Sequence, residues 1–424
     1  MRLIKIALAT VVLLLLYAGL VGIGTREGWW RPLPAPRGDA AAFIAAEQAR
    51  YARESKGNIA LALIAHGRVA GEFLASHGKP VDRDTLFQVA SMSKWFTAWG
   101  VMTLVEKGRI DLDAPVSRYL TRWKLPPSAF DNNGVTVRRL LSHTAGLTDG
   151  LGYRGFAPGV KPQTIEASLT HAADAMPFSP GSVRVGQKPG SGWRYSGGGF
   201  LLLQLIVEEV SGEPFNDYMR RAVLLPLGMR QSTFVGPDPA HLADVYDADG
   251  KPALHYTFTA LSAASLYTST ADLTRFLQAQ LKGPHGEPAG RGVLTPQTLG
   301  LMQRPQAWLA GLPIWGLGTI LYIQTDSGGF VIGHDGNNYP AINTTARLDP
   351  ATGDGIAVLE TGNGTLASEI GGDWVYWHTG RVDFTTLAGE ARTTLAILAI
   401  GALLILIAAG AIAWRGRPRP AKAT

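Results

Sequence analysis

Two stretches of the chain are apolar without a single charge: Ile6 to Ile23, IALATVVLLLLYAGLVGI, and Thr394 to Trp414, TLAILAIGALLILIAAGAIAW. Each reaches the length a helix needs to cross the hydrocarbon layer. A cleaved signal peptide is the alternative for the first. Its apolar run is longer than such peptides use, and no A-x-A site follows, so an uncleaved anchor is expected. Between the two runs the period changes. DAAAFIAAEQARYARES repeats its apolar positions as a helix does, with Asp39 as its cap. NIALALIAHGRVAGEFLAS alternates and breaks at His66-Gly67, which predicts a hairpin. Helical patterns fill the middle, among them FLLLQLIVEEVSG and TSTADLTRFLQAQLKG, the latter opened by a Ser269-x-x-Asp272 box and ended by Gly283. WGLGTILYIQT, GFVIGHDG, NTTARLDP and GIAVLETG then read as successive antiparallel strands. Strands at both ends with helices between predict an α+β domain of three α/β/α layers. Its antiparallel sheet would be built from both ends of the domain and flanked by helices, with a helical subdomain inserted.

The predicted layout is a cytoplasmic N-terminus (1–5), a membrane helix (6–23), a Pro-rich linker (24–39) and the domain (40–379). A second linker (380–393), a second membrane helix (394–414) and a basic tail (415–424) follow. Charge gives this layout a direction. The net +6 is carried by Arg2, Lys5, Arg415, Arg417, Arg419 and Lys422, with no acid among them, so everything between the tails is formally neutral. A pI near 9.4 is then no sign of nucleic-acid binding, which needs a basic patch on the folded part. Basic flanks on both runs predict that both termini stay in the cytoplasm and the domain lies outside the cytoplasmic membrane. Trp29 and Trp30 stand where an interfacial anchor belongs. The absence of cysteine excludes disulfides, thiolate zinc sites and a Cys nucleophile. The nine histidines are scattered, so neither a metal nor a cofactor is expected.

Candidate chemistry begins with a Ser-x-x-Lys pattern that occurs twice. Ser76 to Lys79 lies in SHGKP, a turn in which the two side chains have no fixed relation. Ser91 to Lys94 opens SMSKWFTAWGVMTLVEKG, a predicted helix with an apolar face through Met92, Phe96, Gly100 and Leu104 and a stop at Gly108. On a helix, residues i and i+3 are neighbours whereas i and i+1 are not, so Lys94 can reach Ser91 but hardly Ser93. A serine needs an adjacent base to become a nucleophile, and a lysine whose pKa is lowered by burial can be that base. An ordinary helix-capping serine beside an exposed lysine is the plainer alternative, and this segment alone does not decide between them.

Further motifs follow in order: VTVRRLLSHTAGL (135–147), PGSGWRYSGGGF (189–200), ASLYTSTADLTRF (264–276) and VIGHDGNN (331–338). With these, residues 40 to 379 resemble the serine β-lactamase and penicillin-binding-protein superfamily, and most of all the class C β-lactamase-related serine hydrolases, which include esterases and D-amino-acid peptidases. The resemblance implies that Ser91 is the acylated nucleophile and that Lys94 takes or relays its proton. Tyr195 would shuttle the proton to the leaving group, provided a cation such as Lys94 lowers its pKa. The backbone N–H groups of Ser91 and Asn337 would form an oxyanion hole. His334, Asp335, Gly336 and Gly197 would line the substrate site. His143, in LSHTAGL, reads as a structural loop residue, and the His378-Thr379-Gly380 triplet as a helix end.

Two departures stand out. Gly197 occupies the position of an amide-bearing Asn in the lactamases, and His334 that of a charged Lys. Both argue against efficient penicillin turnover and leave the acylating groups in place. The expected function is a membrane-anchored serine hydrolase acting on a small ester or amide. The alternatives are D-alanyl-D-alanine carboxypeptidase or β-lactamase activity, or a non-catalytic cell-envelope binding protein of this fold.

Overall fold

The computed structural model describes residues 2–150 and 152–415, so Arg417, Arg419 and Lys422 of the basic tail lie outside the described residues. The chain forms two compact units, Pro34–Trp374 and the combination of Met1–Leu33 with Val375–Thr424. The helices that matter below are α1 (Arg2–Arg26), α2 (Ala40–Glu54), α3 (Ser93–Glu106), α4 (Gly197–Ser211), α5 (Thr270–Ala279), α6 (Leu366–Thr379) and α7 (Ala391–Arg415). The main sheet is made of β1 (Ile59–Ala65), β2 (Arg68–Ala75), β3 (Ala307–Leu309), β4 (Leu312–Trp315), β5 (Ile320–Gln324), β6 (Phe330–Asn338), β7 (Ile342–Asp349) and β8 (Asp354–Thr361).

The eight strands lie in the order β2-β1-β8-β7-β6-β5-β4-β3 and pair antiparallel throughout. The sheet is thus built from both ends of the domain, with the helices between. The β1–β2 hairpin turns on His66 and Gly67, whose φ values of 50° and 76° are those of a type I′ turn, the geometry that matches strand twist. On one face of the sheet lie α2 and α6, joined by Arg50, which reaches Asp373 at 2.6 Å and also Glu369. The other face carries α5, with α3 and α4 beyond it.

Local chemistry explains the helix ends. The Asp39 carboxylate accepts from the Ala42 N–H at 2.9 Å, and Ser269 Oγ from the Asp272 N–H at 3.2 Å, each satisfying a donor that the first turn leaves open. Asp272 does not complete a reciprocal box, because its carboxylate is held by Ser232 at 2.8 Å and Arg275 at 2.7 Å. Helix α5 also ends at Ala279, short of Gly283. Its last carbonyls are taken by the loop beyond: Gly290 N–H donates to Ala279 and Arg291 to Gln278. Helix α3 has no single apolar face; every residue from Ser93 to Leu104 is buried. A helix enclosed on all sides belongs to the centre of a domain. Gly100 permits this, since a Cβ there would lie 2.2 Å from Met219 Sδ.

In the other unit, α1 and α7 are each long and apolar enough to cross a membrane, and both leave most of their apolar residues exposed. Tyr17 Oη donates to the Ile397 carbonyl at 2.7 Å. Arg31 pairs with Glu390, so the end of α1 lies beside the start of α7.

Candidate active site

The chain reaches Ser91 through a strained turn. Phe87–Gln88 pairs with Tyr267–Thr268, and Val89 N–H donates to the Leu266 carbonyl at 2.9 Å. Ala90 then takes φ of 47°, a left-handed conformation that costs a residue with a Cβ free energy and clusters at functional sites. One 3-10 turn, Ala90–Met92, leads into α3. Ser93, adjacent to Ser91, is committed to this turn: its hydroxyl donates to the Ala90 carbonyl at 2.6 Å and accepts from Leu266 N–H at 2.9 Å. Lys94 Nζ lies 3.1 Å from Ser91 Oγ and 2.7 Å from the Ala263 carbonyl. Burial brings its amine down from the ordinary 10.5 to about 7, against the opposing pull of Asp149. In the second Ser-x-x-Lys copy, the Lys79 ammonium goes instead to backbone carbonyls, Pro239 at 3.0 Å among them.

Tyr195 precedes α4 and approaches Ser91 from the other side. Burial raises its pKa above the ordinary phenol value, against the opposing pull of the nearby Ser91 hydroxyl. Lys94 Nζ stands 5.0 Å from the centre of its ring. Burial, not the neighbouring amine, therefore sets the state of Tyr195, and the phenol keeps its proton. The turn that carries Tyr195 is fixed by Asp149, a residue the sequence did not single out. Its buried carboxylate accepts from Ser196 Oγ at 2.5 Å and from Gly198 N–H at 2.8 Å. Nothing in TDGLG distinguishes that aspartate from an ordinary turn former. Gly198 allows the approach, because a Cβ would lie 2.9 Å from Asp149 Cγ. At Gly197 a Cβ would meet the Tyr153 ring at 3.0 Å, so an aromatic ring borders this position.

His143 is more than a loop residue. Its ring lies 4.3 Å from that of Tyr195 and 4.8 Å from that of Trp315, and its Nδ1 accepts from Ser196 N–H at 3.2 Å. A neutral imidazole that accepts at Nδ1 carries its proton on Nε2. Burial, then Lys94 and His334, hold its pKa well below the usual value.

Strand β6 forms the opposite wall. Its register sets Gly336 against Thr344, whose hydroxyl donates to the Val89 carbonyl at 3.0 Å. The strand therefore lies directly against the Ser91 turn. Side chains alternate along a strand, so His334 and Gly336 face this turn and Asp335 does not. The Asp335 carboxylate points to the other face, where Thr345 donates at 2.5 Å and Arg347 at 3.2 Å; it does not join the cluster around Ser91. Backbone groups alternate too. The Gly333 carbonyl accepts from Thr319 and that of Asp335 from His334 Nδ1, at 3.1 and 2.6 Å, which puts the Asn337 N–H on the same edge. Since a carbonyl only accepts, His334 carries its proton on Nδ1 and presents a lone pair at Nε2. Burial and Lys94 push its pKa down to about 3, so it is neutral. The structure thus gathers Ser91, Lys94, Tyr195, His334, Gly336 and Asn337, adds Asp149, His143 and Trp315, and leaves Asp335 out.

A serine hydroxyl, a lowered amine and a tyrosine thus meet between a helix and a strand edge, and the sequence matches the Beta-lactamase family over residues 43–381. The chain belongs to that family. Among its relatives, penicillin-binding protein 4* of Bacillus subtilis is 34% identical over 155 residues, 36% of this chain and 32% of the relative. Esterase EstB of Burkholderia gladioli is 34% identical over 194 residues, 41% of this chain and 45% of the relative. The chain therefore spans less than half the length of these two curated relatives. The octameric penicillin-binding protein homologue from Pyrococcus abyssi has the same fold, with a TM-score of 0.64 at 24% identity over 80% of this chain and 77% of that one.

Proposed function

We propose that this chain is a membrane-anchored serine hydrolase that forms an acyl-enzyme on Ser91 and acts on small esters or amides outside the cytoplasm. One observation carries the reading: a fully buried lysine amine with a pKa of about 7, 3.1 Å from the Ser91 hydroxyl. Above that pH the amine is neutral and takes the Ser91 proton as the oxygen attacks the carbonyl. The Ser91 and Asn337 N–H groups stabilise the oxyanion, worth about 3 kcal/mol for each such donor. As the tetrahedral intermediate collapses, Tyr195 gives its proton to the leaving group and recovers one from the Lys94 ammonium. Water then attacks the acyl-Ser91 ester by the same proton path in reverse, releasing the acid and restoring the Ser91 hydroxyl.

The esterase relative supports the ester reading. A neutral His334 and the ring-bordered Gly197 weigh against penicillins, whose carboxylate a charged lysine would hold. Two apolar helices with basic outer flanks support anchoring with both termini in the cytoplasm. A fluorophosphonate probe should label Ser91 in the folded protein, and Ser91→Ala should remove p-nitrophenyl butyrate hydrolysis. Equal rates for parent and variant would point to a binding protein; rapid nitrocefin turnover would point to a lactamase.

A further inference from the structure

The domain has a chemically marked cavity far from Ser91. The candidate active site lies at the end of the sheet where β6 finishes and β7 starts, opposite Thr361 of β8 in the register. At the other end, where Ile64 of β1 pairs with Gly355, a cavity of about 540 Å³ opens between the β1–β2 turn, the last turn of α5 and the loop after it. That volume lies within the range of small-molecule sites. Its lining includes Arg68, Arg275, Lys282, Arg291 and His66, and no carboxylate.

The surrounding hydrogen bonds show which of these cations are already engaged. Arg291 donates to the carbonyls of Gln278 and Leu281, closing the end of α5. One nitrogen of Arg275 holds Asp272 at 2.7 Å. The other nearby acids are also engaged: Asp354 lies 3.7 Å from His66 Nδ1, and Glu287 accepts from His285 N–H at 3.0 Å. Arg68 and Lys282 have no partner among the described residues. Like charges around one concavity repel unless an anion joins them. Guanidinium groups fork onto phosphate oxygens, and an ammonium adds a point charge beside them.

We propose that this cavity binds a phosphate ester, with Arg68, Arg275 and Lys282 as the groups that hold it. The same chemistry is offered by a small soluble phosphate monoester and by the headgroup of an anionic phospholipid. The site is independent of the hydrolytic reading and stands or falls separately from it.

The test is calorimetric titration of the full-length protein in detergent with two probes, glycerol 3-phosphate and dihexanoylphosphatidylglycerol below its micellar concentration. The parent should bind at least one of them. Arg68→Gln with Lys282→Gln should weaken that binding by roughly tenfold, the sum of two partly solvated charge contacts. A control pair that removes equal charge elsewhere, Arg53→Gln with Lys124→Gln, should leave it unchanged. Tighter binding of the lipid probe assigns the lipid source, and tighter binding of glycerol 3-phosphate the soluble one. The proposal is overturned if neither probe binds, or if the control pair loses as much affinity as the cavity pair. Melting curves without ligand check that every variant is folded.

Discussion

Lys94 is costly to the fold because it is buried, and that same burial is what fits it for the proposed role of base. Its pKa is near 7 in the folded protein against 10.5 ordinarily. Between those values the unfolded chain binds more protons, so stability rises with pH through this window, and the full penalty stands below pH 7. Lys94→Met should therefore be more stable than the parent at pH 7, by on the order of 1.4 kcal/mol per unit of depression. The unpaired Ala263 carbonyl subtracts from that gain. The gain should shrink toward pH 10, which urea melts at the two pH values would read; a gain that does not depend on pH would refute the account. The same variant should lose roughly 10²- to 10⁴-fold in kcat/KM. In the parent, kcat/KM should climb with a midpoint near pH 7, with no second limb near pH 6 because His334 titrates at about 3. At this scale the sequence was informative where spacing fixes geometry. The i, i+3 relation brings Lys94 to Ser91 and keeps it from Ser93. Period-two alternation, applied to His334-Asp335-Gly336, would also have turned Asp335 away. Asp149 left no such trace, since its partners Ser196 and Gly198 lie more than forty residues further along the chain.

Strand β6 and its neighbours act as one element that sets the width of the candidate site. A Cβ on Gly336 would lie 2.1 Å from the Val89 carbonyl oxygen and 2.4 Å from Thr344 Oγ1. Gly336→Ala should push the strand off the Ser91 turn, at about 1–3 kcal/mol of stability and roughly 10² in kcat/KM. A variant with wild-type kinetics would show that the strand edge does not position the reaction. Two strands away, Glu360 of β8 is buried and accepts from Ser55 Oγ at 2.7 Å, and burial pushes its carboxyl up to about 9 from 4.5. It stays protonated when folded, so stability is full below pH 4.5 and falls as pH rises through 9. Glu360→Gln keeps an acceptor for Ser55 without titrating. It should match the parent in thermal melts at pH 4 and exceed it increasingly up to pH 9. Elements with a local signature were legible from the sequence: the His66-Gly67 hairpin, the Asp39 cap and the strands from Phe330 to Thr361. The all-round burial of α3 and the early end of α5 were not, because Met219 and Arg291 decide them from elsewhere.

For the whole molecule, the absence of cysteine offers a direct reading of topology. A cysteine replacing Ala129, an exposed residue of the domain, should react with a membrane-impermeant maleimide in intact cells. One replacing Thr424 should react only after lysis; the reverse pattern would invert the proposed orientation. The sheet order also has a consequence for biogenesis. Strand β1 lies between its hairpin partner β2 and β8, with Ile59 opposite Glu360. Pairings across so many residues close late and slowly. A ribosome has delivered the whole helical middle before β1 can find its second neighbour, and Asn337 reaches the Ser91 turn in that same late interval. The nascent domain therefore spends its synthesis without a finished candidate site, and acquires one only as its last strands arrive.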